Sequence, residues 1–197
     1  MQNLLKNINI RTLNPVGAAA VVYEDSRTGP LAVRNGVSAP TPRLYNMGVV
    51  AGVTFDVTGF ALDNLVYFSI QSSHAMKLST TLDMHIHYIL PNTTTIGNKF
   101  KFQLDVVAAV HNGVAAVPAG SPFSAEATVA AADDTSHRTL SLGSIPGINT
   151  TASTFYWCKL ARIAASAGEY GSEVYITSID GHYAMDTIGS LSVASKV

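Results

Sequence analysis

From about residue 48 onward, apolar and polar positions alternate with a period of two. Val53, Phe55 and Val57 stand against Thr54, Asp56 and Thr58, and Gly59 closes the run. Val66, Phe68 and Ile70 alternate with Tyr67, Ser69 and Gln71. Leu82, Met84, Ile86, Tyr88 and Leu90 alternate with Thr81, Asp83, His85, His87 and Ile89. Phe100, Phe102, Leu104, Val106, Ala108 and Val110 repeat the pattern over a longer stretch. Successive side chains of a strand point to opposite faces, so each run predicts a half-buried strand. Pro91-Asn92 and Gly97-Asn98 supply turn signals between them. Segments 123–131, 135–142, 154–163 and 173–183 extend the series, and Ser144-Ile-Pro-Gly-Ile reads as a loop.

Segments 125–132 and 157–167 are rich in alanine, which favours helix. The first is interleaved with Thr128 and Val129 and has no amphipathic stripe. The second begins in Phe155-Tyr156-Trp157, a strand-forming run. Both are therefore read as strands. Short strands separated by turn signals predict an all-β, antiparallel β-sandwich of jelly-roll type. The chain shows no internal repeat of solenoid period, so the strands are expected to form one domain.

The first ~45 residues break the pattern. Pro15, Pro30, Pro40 and Pro42 punctuate them, with Gly17, Gly29 and Gly36 between. The expected division is an extended N-terminal arm over 1–45, with one strand at 18–23, and a sandwich over 46–197. Leu31, Val33, Leu44 and Tyr45 are residues of buried type. They are the arm positions expected to contact a neighbouring subunit.

Composition narrows the function. Only 13% of residues are charged and the net charge is -1, against about 25% charged in an ordinary globular domain. There is no basic excess for nucleic acid and no reason to expect an anionic membrane as partner. A sparsely charged surface suits a subunit partly covered by other subunits. Lys6, Asn7, Asn9, Arg11 and Asn14 interrupt the start of the chain, so no secretory signal is expected. Cys158 is the single cysteine, which excludes an internal disulfide framework and a multi-cysteine zinc site.

Six histidines are the candidates for chemistry: His74, His85, His87, His111, His137 and His182. Asp83, His85 and His87 share one face of a predicted strand. Such a row can present two imidazoles and a carboxylate to a metal. His182, in Ile179-Asp-Gly-His-Tyr, is the distant ligand that such a site would take. No acid follows His87 within a few residues, however. The favoured reading is that Asp83, His85, His87 and His182 form a polar layer at a subunit interface. There, neutral histidine satisfies donors and acceptors without a net charge to desolvate. His74, just past a strand, reads as a loop-fixing hydrogen-bond partner. There is no Gly-x-Ser-x-Gly elbow, and Cys158 sits in an apolar run as a buried thiol. Glu24, Asp25, Asp133 and Asp134 read as solvated loop acids. No catalytic set, cofactor or bound metal is expected.

Several fragments in order resemble a family of tailed-bacteriophage virion proteins. They are Val66-Tyr-Phe-Ser-Ile-Gln-Ser-Ser-His, Asp83-Met-His-Ile-His-Tyr and Gly97-Asn-Lys-Phe-Lys-Phe-Gln-Leu-Asp. Ile179-Asp-Gly-His-Tyr, Asp186-Thr-Ile-Gly-Ser and Lys196 follow. The resemblance covers roughly 60–197; Ser73 stands where the family has Pro, and Tyr88 where it has Trp. It implies a noncatalytic β-sandwich located in the virion, with a homotrimeric state and the major capsid protein or other virion proteins as partners. The leading expectation is a capsid cement or decoration protein that stabilises the head lattice. The alternatives are a tail or fibre protein binding a host receptor, for which Tyr170 is the aromatic candidate at a loop tip, and a metal-dependent β-sandwich enzyme built on His85, His87 and His182.

Overall fold

The computed structural model describes residues 22–28, 33–48, 51–91, 95–131, 133–148 and 153–185. The described residues form strands, turns and loops, without a helix, so none of them forms a helix long and apolar enough to cross a membrane. The strands are β1 (Val22–Thr28), β2 (Arg34–Asn35), β3 (Thr41–Tyr45), β4 (Phe55–Phe60), β5 (Leu65–Gln71) and β6 (Leu82–Ile89). They continue with β7 (Lys99–Ala109), β8 (Phe123–Thr128), β9 (Arg138–Ile145), β10 (Phe155–Ile163) and β11 (Val174–Met185). One sheet runs β3-β4-β11-β6-β9, with β1 also paired to β11; the other runs β2-β5-β10-β7-β8. All strand pairs are antiparallel. From β4 to β11 the chain crosses repeatedly between the layers, which leaves β4-β11-β6-β9 facing β5-β10-β7-β8. That is the order of a jelly roll.

The alternation read from the sequence is what the sheets bury. In β7, Phe100, Phe102, Leu104, Val106 and Ala108 point inward. In β5, Val66, Phe68 and Ile70 do so, and in β10 Tyr156, Cys158 and Leu160. Met84, Ile86 and Tyr88 of β6 meet them from the opposite sheet. Aromatic edges lock the layers: Phe60 meets Phe102 at 5.5 Å and Tyr88 meets Phe100 at 5.0 Å between ring centroids, both T-shaped. The two alanine-rich segments enter β8 as far as Thr128 and β10 as far as Ile163, where sheet pairing overrides their helix propensity; the residues described beyond those points are not strand. The loop expected at Ser144 begins later, because β9 continues to Ile145.

The arm is revised over its described part. Rather than leaving the sandwich, 22–28 and 33–45 contribute β1, β2 and β3 to it. β1 pairs with β11 from Val22↔Met185 to Thr28↔Ile179. β2 pairs with β5, and β3 with β4. Along the sequence Pro30 and Pro40 flank the short strands, and Pro42 lies within β3, an edge strand where a missing N–H donor is tolerated. Val33 packs on the chain's own core. Tyr45 packs against Phe55 and Tyr175 and donates its hydroxyl to the Asp134 carbonyl at 2.9 Å. Leu44 is exposed. Leu31 lies outside the described residues, as does most of the strand expected at 18–23.

A buried arginine closes one end of the sandwich. Arg162, near the end of β10, is 1% exposed. Its Nη1 donates to the carbonyls of Phe60 at 2.8 Å and Ser172 at 2.6 Å. Its Nη2 donates to the Tyr170 carbonyl and to Glu169 Oε1, the latter at 2.8 Å. The guanidinium also lies over the Tyr170 ring. One planar donor fork thus ties the end of β4 to the loop before β11. Arg162→Ala leaves several carbonyls and a carboxylate without their donor. Urea unfolding is expected to show a loss of about 3 kcal/mol; a loss under about 1 kcal/mol would mean that water replaces the fork at no cost.

Candidate functional site

The outer face of the first sheet carries the histidines. β6 and β11 are neighbours, with register pairs Asp83↔His182, His85↔Asp180 and His87↔Ser178. β6 alternates without a break, so Leu82, Met84, Ile86 and Tyr88 turn inward and Asp83, His85 and His87 outward. β11 does not. Val174 and Ile176 face the core, and strict alternation would carry residues 178, 180 and 182 in after them. A register shift between Ile176 and Ser178 inserts one residue. Beyond it Ile179 and Tyr183 face the core, and Asp180 and His182 join the outer face.

Three ligand-type atoms converge there. His85 Nε2 lies 2.9 Å from His87 Nε2. Asp180 Oδ2 lies 2.9 Å from His87 Nε2 and 3.7 Å from His85 Nε2. His87 Nδ1 meets His137 Nε2 at 2.8 Å, and those two rings stack at 8° between planes. His182 packs edge-on against His85, with centroids 4.2 Å apart. His85 is 6% exposed and Asp180 1%, while His137 remains open to solvent.

The sequence row is therefore brought together in part. His85, His87 and His182 do meet. Asp83 shares their face one rung along, opposite His182 and Ser144, outside the convergent set. The carboxylate of that set is Asp180, a residue the sequence reading passed over. The missing signal was the bulge, since period-two counting from Val174 turns Asp180 inward. The partner on His87, His137, was also missed; it precedes β9 by one residue, and Thr139 of that strand pairs with His87. A subunit interface is not required to bury His85, because the chain's own neighbours already do so.

Other candidate groups hold the fold together. His74 Nε2 meets Ser153 Oγ at 2.7 Å and fastens the loop after β5 to the approach to β10, as its loop-fixing reading expected. Asp133 is not a solvated loop acid but is buried. It accepts from Ala130 N and from Arg138 Nε, each at 2.8 Å. Tyr170 is 1% exposed and packs near Phe100, so it presents no ring at a loop tip. Exposed aromatics lie instead on the outer face of the second sheet. Trp157 is 48% exposed and Tyr67 46%. Trp157 of β10 stands opposite Ser69 and Val107, Lys159 opposite Tyr67 and Asp105. Tyr67 is thus the diagonal neighbour of Trp157, within reach of a large ring. Phe155 packs on Trp157 at 4.8 Å, and Lys159 Nζ pairs with Asp105 at 2.8 Å.

No protein family model and no curated protein matches the chain. Solved structures with a similar trace include a xylan-binding domain of carbohydrate-binding module family 22. It is 9% identical at a TM-score of 0.37, over 83% of this chain and 89% of that one. The module TmCBM61, solved with β-1,4-galactotriose, is 10% identical at 0.35, over 84% and 88%. A structure of the infectious bursal disease virus Gx strain is 10% identical at 0.33; the chain spans 83% of itself and 32% of the viral chain. The fold assignment rests on the strand pairing described above, and these distant likenesses add nothing about ligands or partners.

Cys158 faces the core of β10, and burial pushes its thiol up to about 12. At neutral pH it is a protonated packing group rather than a nucleophile. Ellman's reagent is expected to find no thiol in the native protein and one per chain in denaturant. Rapid reaction of the native protein would contradict the packing of β10.

Proposed function

We propose that the chain is a noncatalytic structural protein of a tailed-bacteriophage virion, a cement or decoration subunit that seats on the head lattice against the major capsid protein. The observation that carries the reading is the exposed face of β5, β10 and β7, where Tyr67, Trp157 and Val107 adjoin. Large rings on a flat, central sheet surface are costly to leave in water and are typical anchors of protein interfaces. The rim is polar, with Gln71, Ser69, Lys159 and Asp105 around the rings, as an interface rim should be. Low overall charge and the ordered resemblance to phage virion proteins support the same reading. In this reading the subunit acts as a homotrimer.

The test is attachment to heads prepared without this chain. Purified protein is expected to bind them with saturable stoichiometry and to elute alone as a trimer. Trp157→Ala with Tyr67→Ala is expected to weaken attachment about tenfold or more while leaving the circular dichroism unchanged. Equal occupancy by the double variant would remove this face from the contact, and absence of the chain from purified heads would overturn the cement role.

The same rings favour one second reading, a tail or fibre protein that binds a host glycan. Trp157 and Tyr67 are flat, exposed and flanked by hydrogen-bonding side chains, which is what a stacked sugar ring needs. Localisation on the particle separates the two: density on the head supports the cement role, density on the tail the receptor role.

A further inference from the structure

We propose that His85, His87 and Asp180 hold one divalent transition-metal ion of the zinc class, which staples β6 to β11 on the outer face of the first sheet. This does not depend on the virion reading. The site lies in the opposite sheet from Trp157 and Tyr67, so loss of metal and loss of attachment are separate outcomes.

The geometry is the first argument. Four ligands at about 2.0–2.1 Å around a tetrahedral ion lie about 3.3 Å from one another. The three edges here are 2.9, 2.9 and 3.7 Å, which straddle that value. Among the described residues, this is the set of histidine and acidic side chains whose ligand atoms converge so closely.

Proton counting is the second argument. His87 Nε2 lies at 2.9 Å from both His85 Nε2 and Asp180 Oδ2. A single Nε2–H lies in the ring plane and points along only one of those lines. When His87 Nδ1 carries the proton and donates to His137, the Nε2 lone pair faces the Asp180 carboxylate at 2.9 Å whichever nitrogen of His85 carries its proton. A cation at the shared point turns that crowding of lone pairs into ligation. Two imidazoles with one carboxylate select a borderline ion over Mg²⁺ or Ca²⁺, which prefer all-oxygen shells.

The surroundings are the third argument. His137 supplies the outer contact that metal-bound histidines take, holding the ring and its tautomer through Nδ1. His182 packs against the His85 ring and keeps it from turning, and its nitrogens lie outside the convergent set. The fourth position is left to water on the open side, next to the half-buried His87. Both strands sit inside the sheet, so the ligands stand on a rigid frame.

The experiment strips the full chain with a chelator, dialyses it, and titrates it with Zn²⁺ or Co²⁺ alone. One equivalent is expected to bind, with the visible band of four-coordinate Co²⁺ and a rise in melting temperature. His87→Gln and Asp180→Asn are each expected to abolish the band while retaining the β-sheet spectrum; His85→Gln serves if either fails to fold. His137→Gln is expected to weaken affinity about 10- to 100-fold. His111→Gln, on a turn after β7 of the other sheet, is expected to change nothing. Absence of Co²⁺ binding by the native chain at micromolar concentration would overturn the proposal, leaving a hydrogen-bonded histidine cluster. Binding that survives both ligand variants would overturn it equally.

Discussion

One inserted residue in β11 divides the two faces of the first sheet. Along most of a strand, the period of two allows a single assignment of core and surface. β11 carries Val174 and Ile176 before the shift and Ile179 and Tyr183 after it, all in the core. Without the bulge, keeping Val174 and Ile176 in the core would turn Ile179 and Tyr183 to water and place Asp180 and His182 between the sheets. A carboxylate there would need to be neutralised or matched within an apolar layer. The bulge removes the conflict and sends both polar side chains outward, next to those of β6. It also leaves β11 paired with β4 at one end, β1 at the other and β6 along most of its length.

That division gives the sandwich two chemically different outer faces. The outside of the first sheet gathers imidazoles and a buried carboxylate on central strands. The outside of the second sheet presents Trp157 and Tyr67 beside Ser69, Lys159 and Val107. The common core holds them apart, so either face is open to change without moving the other. Arg162 belongs to neither face. It closes one end by gathering carbonyls from β4 and from the loop before β11.

Much of the sandwich was legible because unbroken alternation maps directly onto burial. The inward sets of β5, β7 and β10 are the apolar sets of their runs, and the first part of each alanine-rich segment lies in a strand. The N-terminal segment was less legible. Its prolines and glycines hide pairings of two to seven residues, which become visible only when the partner edge is present. Tyr170 was misplaced for a related reason. Gly168-Glu-Tyr-Gly has the composition of an exposed tip, yet Arg162 draws the Tyr170 carbonyl inward and its ring packs near Phe100.

By itself the sequence determined the strand class, the inward faces of the unbroken strands, the burial of Cys158 and the common face of His85 and His87. Each follows from local periodicity, which depends on backbone geometry and not on distant contacts. Only the tertiary structure decided which carboxylate meets those histidines. Asp83 is adjacent in sequence and on the same face, yet Asp180 reaches the convergent point. It does so because cross-strand register, together with one extra residue in β11, sets which side chains stand opposite each other. The stacking of His137 on His87 was decided in the same way, by β9 pairing with β6 across fifty residues of chain.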